Sequence, residues 1–139
     1  MRAYGNVDIT HHLLQSDVLP KKDFPVVFHG IVGNEKRTKR SPSYFNIHEA
    51  TVVRNYCAKL IEDTERRICE CGSIVCYSSP FLSLSVDPED IGVIAPYRAQ
   101  VRAIRELLKQ ARLGEISVGS VEQFQGQVCA DHILYTGGR

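Results

Sequence analysis

The sequence predicts an α/β protein built on an open parallel sheet with covering helices. Three observations carry that prediction. Short apolar runs bounded by turn residues, FPVVFHG, IGVI and ISVGSV, read as buried strands. Between them, residues 47–66 and 97–112 repeat apolar residues at helical spacing. The resulting strand–helix–strand–helix–strand order marks a parallel sheet, because each return to the same direction needs a crossover. At 139 residues the chain holds one domain at most.

Residues 1–23 are polar and mixed and read as a lead-in; the domain proper is expected over 24–127. FPVVFHG (24–30) opens it as a buried strand closed by glycine. A loop follows with Lys36, Arg37, Lys39 and Arg40 clustered, which reads either as a solvated charge run or as a phosphate contact. Asn46 has the chemistry of a helix N-cap, and Glu49 three residues on resembles the partner in a capping box. Behind them, Ala50, Val53, Cys57, Leu60 and Ile61 make one core face of a helix over 47–66. Residues 67–86 have no clean period and look like an irregular insertion. A charged turn, VDPED, leads into a strand at Ile91–Ala95. The next helix, 97–112, presents Val101, Ile104, Leu107, Leu108 and Ala111, and EISVGSV (115–121) makes a third strand before a further helix or turn. Residues 128–139 form a divergent tail.

Composition narrows the class. A hydrophobic fraction of 43% with 24% charged residues belongs to a folded, soluble chain and excludes general disorder. A net charge of +1 means that any nucleic-acid binding must come from a local surface. The longest uncharged stretch, Cys71–Val86, is broken by serine, proline and glycine and does not read as a membrane span. The N-terminal apolar stretch is too short for a secretory signal, so a cytoplasmic, reducing environment is expected. Cys69, Cys71 and Cys76 lack an obvious fourth zinc ligand and are expected to be free thiols.

In open parallel sheets, ligands sit outside the carboxyl ends of the strands. Two unusual segments fall there: APYRAQ (95–100) and VGSVEQFQGQ (118–127). Pro96 has a sufficient explanation as the first residue of a helix, with Arg98 a solvated charge. Tyr97 and Arg98 also have the chemistry to stack on a base and to meet a phosphate. Ser120 reads either as a cap, with Glu122 reaching back, or as a hydroxyl and amide offered to a phosphate beside Gly119.

Taken together, IGVIAPYRAQVRAIRELL and ISVGSVEQFQGQ resemble the second RecA-like domain of superfamily 1 RNA helicases of the Upf type. LPKKDFP, FPVVFHG and SPSYFNIHEA are closer still to the Moloney leukaemia virus 10 helicase group, with its germline piRNA-pathway paralogue. The resemblance runs from about Leu19 to Gln127, apart from 67–86. It implies an incomplete RecA-like sheet of the P-loop NTPase kind with helices on both faces, and ATP-dependent unwinding or remodelling of single-stranded RNA. By the same resemblance, Pro96, Tyr97, Arg98, Gln100, Val118, Gly119 and Ser120 face RNA, and Glu122, Gln125 and Gly126 face the nucleotide. ATP and Mg2+ are implied as cofactors of the full-length family, and the first RecA-like domain as a partner. Argonaute or Piwi-pathway proteins in ribonucleoprotein granules are implied more distantly.

The chain departs from that pattern. It has no GxxxxGK[ST] loop and no acidic magnesium motif, so this fragment alone is expected to bind no ATP and to carry no catalytic residue. Val128 stands where the family expects glutamate. Retained intronic sequence after Gln127 and before Val86 would account for both irregular segments. A DNA helicase of the same superfamily, or a non-catalytic fragment acting through its basic loop, are the alternatives, since residue chemistry here does not separate RNA from DNA.

Overall fold

Ile91, Val93 and Ala95 alternate with Gly92 and Ile94, and a two-residue period places the first three on one face of a strand. All three are fully buried. The computed structural model describes residues 14, 16–37, 42–70, 86–125 and 132–136. In chain order these give β1 (Lys36–Arg37), β2 (Tyr44–Phe45), α1 (Ile47–Glu70), a 3-10 turn (Pro88–Asp90) and β3 (Ile91–Ile94). There follow α2 (Arg98–Gln110), β4 (Ser117–Gly119), the short α3 (Val121–Phe124) and β5 (His132–Tyr135).

β3 is flanked by β4 and β5, and both pair with it in parallel. Ile94 stands opposite Gly119 on one side and Tyr135 on the other, so all three strands end level. The ladder continues past the strand ends, with Ala95 N donating to Gly119 O at 3.0 Å and Thr136 N to Ile94 O at 3.0 Å. β1 and β2 form a separate antiparallel pair with Arg37 opposite Tyr44.

One apolar cluster joins the sheet to both long helices: Ala50, Val53 and Cys57 of α1, Val101, Ile104 and Leu108 of α2, and Ile91, Val93, Ala95 and Val118 of the strands. Burial pushes the Cys57 thiol up to about 12, so it stays a protonated apolar group. Both long helices therefore share a single sheet face, and the expected arrangement with helices on both faces is not seen among the described residues. α2 ends in a Schellman turn, with Leu113 N donating to Leu108 O and Arg112 N to Lys109 O. Arg112 sits there at φ 60°, a left-handed position that glycine would occupy without strain.

Several expectations need correction. FPVVFHG is not a strand: residues 24–30 have no ladder, and Phe24, Val26 and Phe28 are exposed. Its alternation is right, but both sides of β3 are taken by β4 and β5, and a strand forms only where a neighbour accepts its hydrogen bonds. The run instead touches α1 through His29, whose Nδ1 lies 2.9 Å from the Tyr56 hydroxyl. α1 continues to Glu70, so the irregular segment begins later than residue 67, and Val86 at its other end is buried in the core. Residues 71–85, with Cys71 and Cys76, lie outside the described residues. The third strand is shorter than 115–121, and His132–Tyr135, inside the expected divergent tail, is a strand in register with β3.

Candidate nucleic-acid interface

Helix N-termini leave backbone donors that side chains must satisfy. At α1, Asn46 Oδ1 accepts from His48 N at 3.0 Å and Glu49 N at 3.4 Å, the expected cap. The reciprocal half of the box is not made by Glu49. Asn46 N donates to Gln100 Oε1 at 2.7 Å, and Gln100 Nε2 donates back to Asn46 O at 3.2 Å and to Glu49 Oε2 at 3.4 Å. The start of α2 is tied in the opposite direction, with Ala99 N donating to Ser43 Oγ at 2.9 Å. Each helix start is thus capped by a residue from beside the other. Gly33 is needed next to this clamp, because a Cβ there would lie 2.6 Å from Asn46 Nδ2.

The clamp corrects the expectation for Gln100. Its side chain is 3% exposed and fully engaged with Asn46 and Glu49, so it positions the helix start and does not reach outward to a strand. Pro96 also shifts by one step: Tyr97 is the N-cap of α2, and Pro96 precedes the cap as an exposed residue. Tyr97 and Arg98 are exposed, as an RNA-facing role requires. The Tyr97 ring meets Tyr44 edge-on, with centroids 6.0 Å apart, and the Arg37 guanidinium lies 5.7 Å from the Tyr44 ring centre.

The second edge adjoins the first. Val118 is buried, and its carbonyl accepts from Arg105 Nε at 3.1 Å and from Nη2. Gly119 O is bonded to Ala95, and the alternation of carbonyls then turns Val118 O away from β3. Arg105 of α2 therefore covers the outer side of β4. A Cβ on Gly119 would lie 2.6 Å from Gln123 Oε1. Ser120 does cap α3, but its partner is Gln123, whose Oε1 accepts the Ser120 amide at 3.1 Å, and not Glu122. That amide is consequently occupied, leaving the hydroxyl of Ser120 as its polar contribution. Glu122 and Gln125 are exposed, and Gly126 lies outside the described residues.

A small cleft opens at this carboxyl edge, lined by Glu35, Tyr44, Glu49, Tyr97, Gln100 and Thr136. Burial and the neighbouring charge of Glu35 raise the Glu49 carboxyl above its ordinary range, against the hydrogen bond from Asn46. Thr136 is 6% exposed, and its Oγ1 has no hydrogen-bond partner among the described residues. Tyr44, Ser43 and Thr136 were not singled out by spacing. The only signal for the first two was the SPSYFN segment, and Thr136 reaches the site through the β5 ladder alone. Among the described residues, no cluster of three or more His, Cys, Asp or Glu is placed to hold a metal ion. No described helix is long and apolar enough to cross a membrane.

The AAA domain family matches residues 4–136, a span that takes in β5. RNA helicase Mov10l1 of Homo sapiens is 45% identical over 115 residues, 83% of this chain and 8% of that protein. Putative helicase MOV-10 of Gallus gallus is 34% identical over 137 residues, covering 91% of this chain and 13% of that one. A shorter match, 42% over 60 residues, joins 43% of the chain to DNA replication ATP-dependent helicase/nuclease DNA2 of Mus musculus. The chain thus spans only a small part of the length of each relative. The protein belongs to the AAA domain family and is similar, over most of its length, to short parts of Mov10l1 and MOV-10.

Proposed function

We propose that this chain is part of the second RecA-like domain of an ATP-dependent RNA helicase, and that the carboxyl edge of its sheet holds single-stranded RNA. The observation that carries the reading is the level ending of β3 and β4, which sets Pro96–Tyr97 beside Gly119–Ser120 on one ledge. Tyr97 and Tyr44 offer ring faces to bases, Arg37 and Arg98 offer charge to phosphates, and Gln100 fixes the ledge to α1. Glu122, Gln125 and Gly126 would face the nucleotide, with ATP and Mg2+ held mainly by the first RecA-like domain. Binding of that nucleotide supplies closure between the domains, and the ledge then shifts along the strand. An Argonaute- or Piwi-linked role in the cytoplasm rests on the family resemblance alone.

A DNA-directed reading has its own support in the match to DNA2. Fluorescence anisotropy of the 139-residue chain with labelled oligouridine and oligodeoxythymidine tests both. RNA binding weakened by Tyr97→Ala supports the ledge, by about 1–3 kcal/mol if one base stacks there. Binding that ignores Tyr97 and depends only on Lys36, Arg37, Lys39 and Arg40 would reduce the site to a basic loop. The chain alone is expected to hydrolyse no ATP, and a measurable phosphate release rate would contradict that assignment.

A further inference from the structure

We propose that the cleft beside Tyr97, formed with Tyr44, Glu49 and Thr136, receives the ribose 2′-hydroxyl of the bound strand and so selects RNA over DNA. This rests on the nucleic-acid reading above and names the group by which that site would choose its strand.

Size comes first. The cleft is open to solvent and narrow, with room at its walls for about one water or hydroxyl. A base can therefore lie on the ledge but not in the cleft. The lining includes polar groups. Thr136 contributes a buried Oγ1 with no partner among the described residues, which costs free energy until a hydroxyl or water meets it. Glu49 contributes a carboxyl that burial and Glu35 hold in an unfavourable charged state, which a new hydrogen-bond donor would relieve. A 2′-hydroxyl is both donor and acceptor, so it can serve Glu49 and Thr136 together.

The mouth of the cleft has the matching chemistry. Tyr97 and Tyr44, 39% and 38% exposed, line it as well, and bases stacked on them would bring their sugars to the cleft. Arg37, beside the Tyr44 ring, lies where the strand's phosphates would run. A divalent cation is a poorer occupant, since among the described residues only Glu35 and Glu49 bring carboxylates to the cleft. Discrimination follows from the cost of an empty site. A deoxyribose would bury the same two polar groups, leaving the Thr136 hydroxyl unsatisfied and Glu49 with only its bonds from Gln100 and Asn46, which is how sites built around a hydroxyl reject analogues that lack it.

The test is anisotropy of the 139-residue chain with oligouridine, its 2′-deoxy counterpart and its 2′-fluoro counterpart, which keeps an RNA-like sugar but cannot donate. Wild type is expected to favour the RNA over both by roughly tenfold, the size of one hydrogen bond to a charged acceptor. Thr136→Val, nearly isosteric, and Glu49→Gln are each expected to narrow that ratio by weakening RNA binding alone. Tyr97→Ala should weaken all three strands alike, because stacking is indifferent to the sugar. Equal wild-type affinity for RNA and its 2′-fluoro form would overturn the inference while leaving the ledge intact, and needs no variant to fold. Ratios unchanged in both cleft variants would overturn it as well. No binding to any strand would overturn the ledge reading and this one with it.

Discussion

Residues 24–32 and residues 91–100 begin with similar sequence logic and end in opposite states. Both start with alternating apolar residues and run into a turn. In the second region Ile91, Val93 and Ala95 are fully buried, and the following helix start is capped by Ser43 from another part of the chain. In the first, Phe28 is 96% exposed, and the segment touches α1 through His29 and Tyr56. The difference teaches that alternation nominates a strand but a neighbour makes one. β3 has two parallel neighbours and two helices over one face, whereas the arm has no ladder partner among the described residues.

The most direct way to break this comparison is to shorten one side chain in each region. Ile104→Ala, at a fully buried position of α2 in the shared core, is expected to lower stability by about 2–5 kcal/mol. Phe28→Ala in the arm should change it by no more than about 0.5 kcal/mol, as for other surface positions. Urea unfolding followed by circular dichroism measures both. A Phe28→Ala cost equal to that of Ile104→Ala would mean that the arm is packed in solution, and the contrast would fail.

Local signals were legible and long-range ones were not. α1 and α2 declared themselves through spacing and through Asn46, because a helix satisfies its own backbone and needs only one apolar stripe. The pairing of the PYRAQ and VGSVEQ edges was also legible, since consecutive parallel strands must end on the same side. Gln100 was misread because its partner, Asn46, is 54 residues away in sequence. The same physics hid Thr136, which arrives only through the register of β5 against β3. Ser120 shows the intermediate case: its capping role was readable, but the choice of Gln123 over Glu122 depends on which side chain stands at the third helical position.

The clamp sharpens the comparison at a smaller scale. Gln100→Ala leaves the buried amide of Asn46 without an acceptor and is expected to cost about 1–3 kcal/mol. Ser43→Ala removes a half-buried cap from α2 and should cost about 1 kcal/mol. Because both bonds join the same two helix starts, the double variant should be less destabilised than the sum of the singles. Tyr97→Ala is the control: it should disturb strand binding while leaving urea stability nearly unchanged, since the ring is half exposed. If Gln100→Ala left stability untouched, the clamp would be dispensable, and Gln100 would return to consideration as a strand contact.

The smallest effect concerns charge. Glu49 has its carboxyl raised above the ordinary value of 4.5 by burial, then by Glu35, with the Asn46 hydrogen bond opposing. In the window just above the unfolded pKa, the folded state therefore holds more protons than the unfolded one. Stability contributed by this group then falls as pH rises through the folded pKa, the opposite of a salt-bridged carboxylate. Glu49→Gln removes the titration. Its stability relative to wild type should rise as pH climbs from about 4.5 toward neutrality, and the difference should level off once Glu49 is fully charged. Paired urea melts at several pH values give that difference directly, with titrating groups remote from Glu49 cancelling and its neighbour Glu35 included in it. A relative stability that fell over the same window would show that the helix start and Asn46 favour the charged form after all, and the cleft would then have no need of a donor from outside.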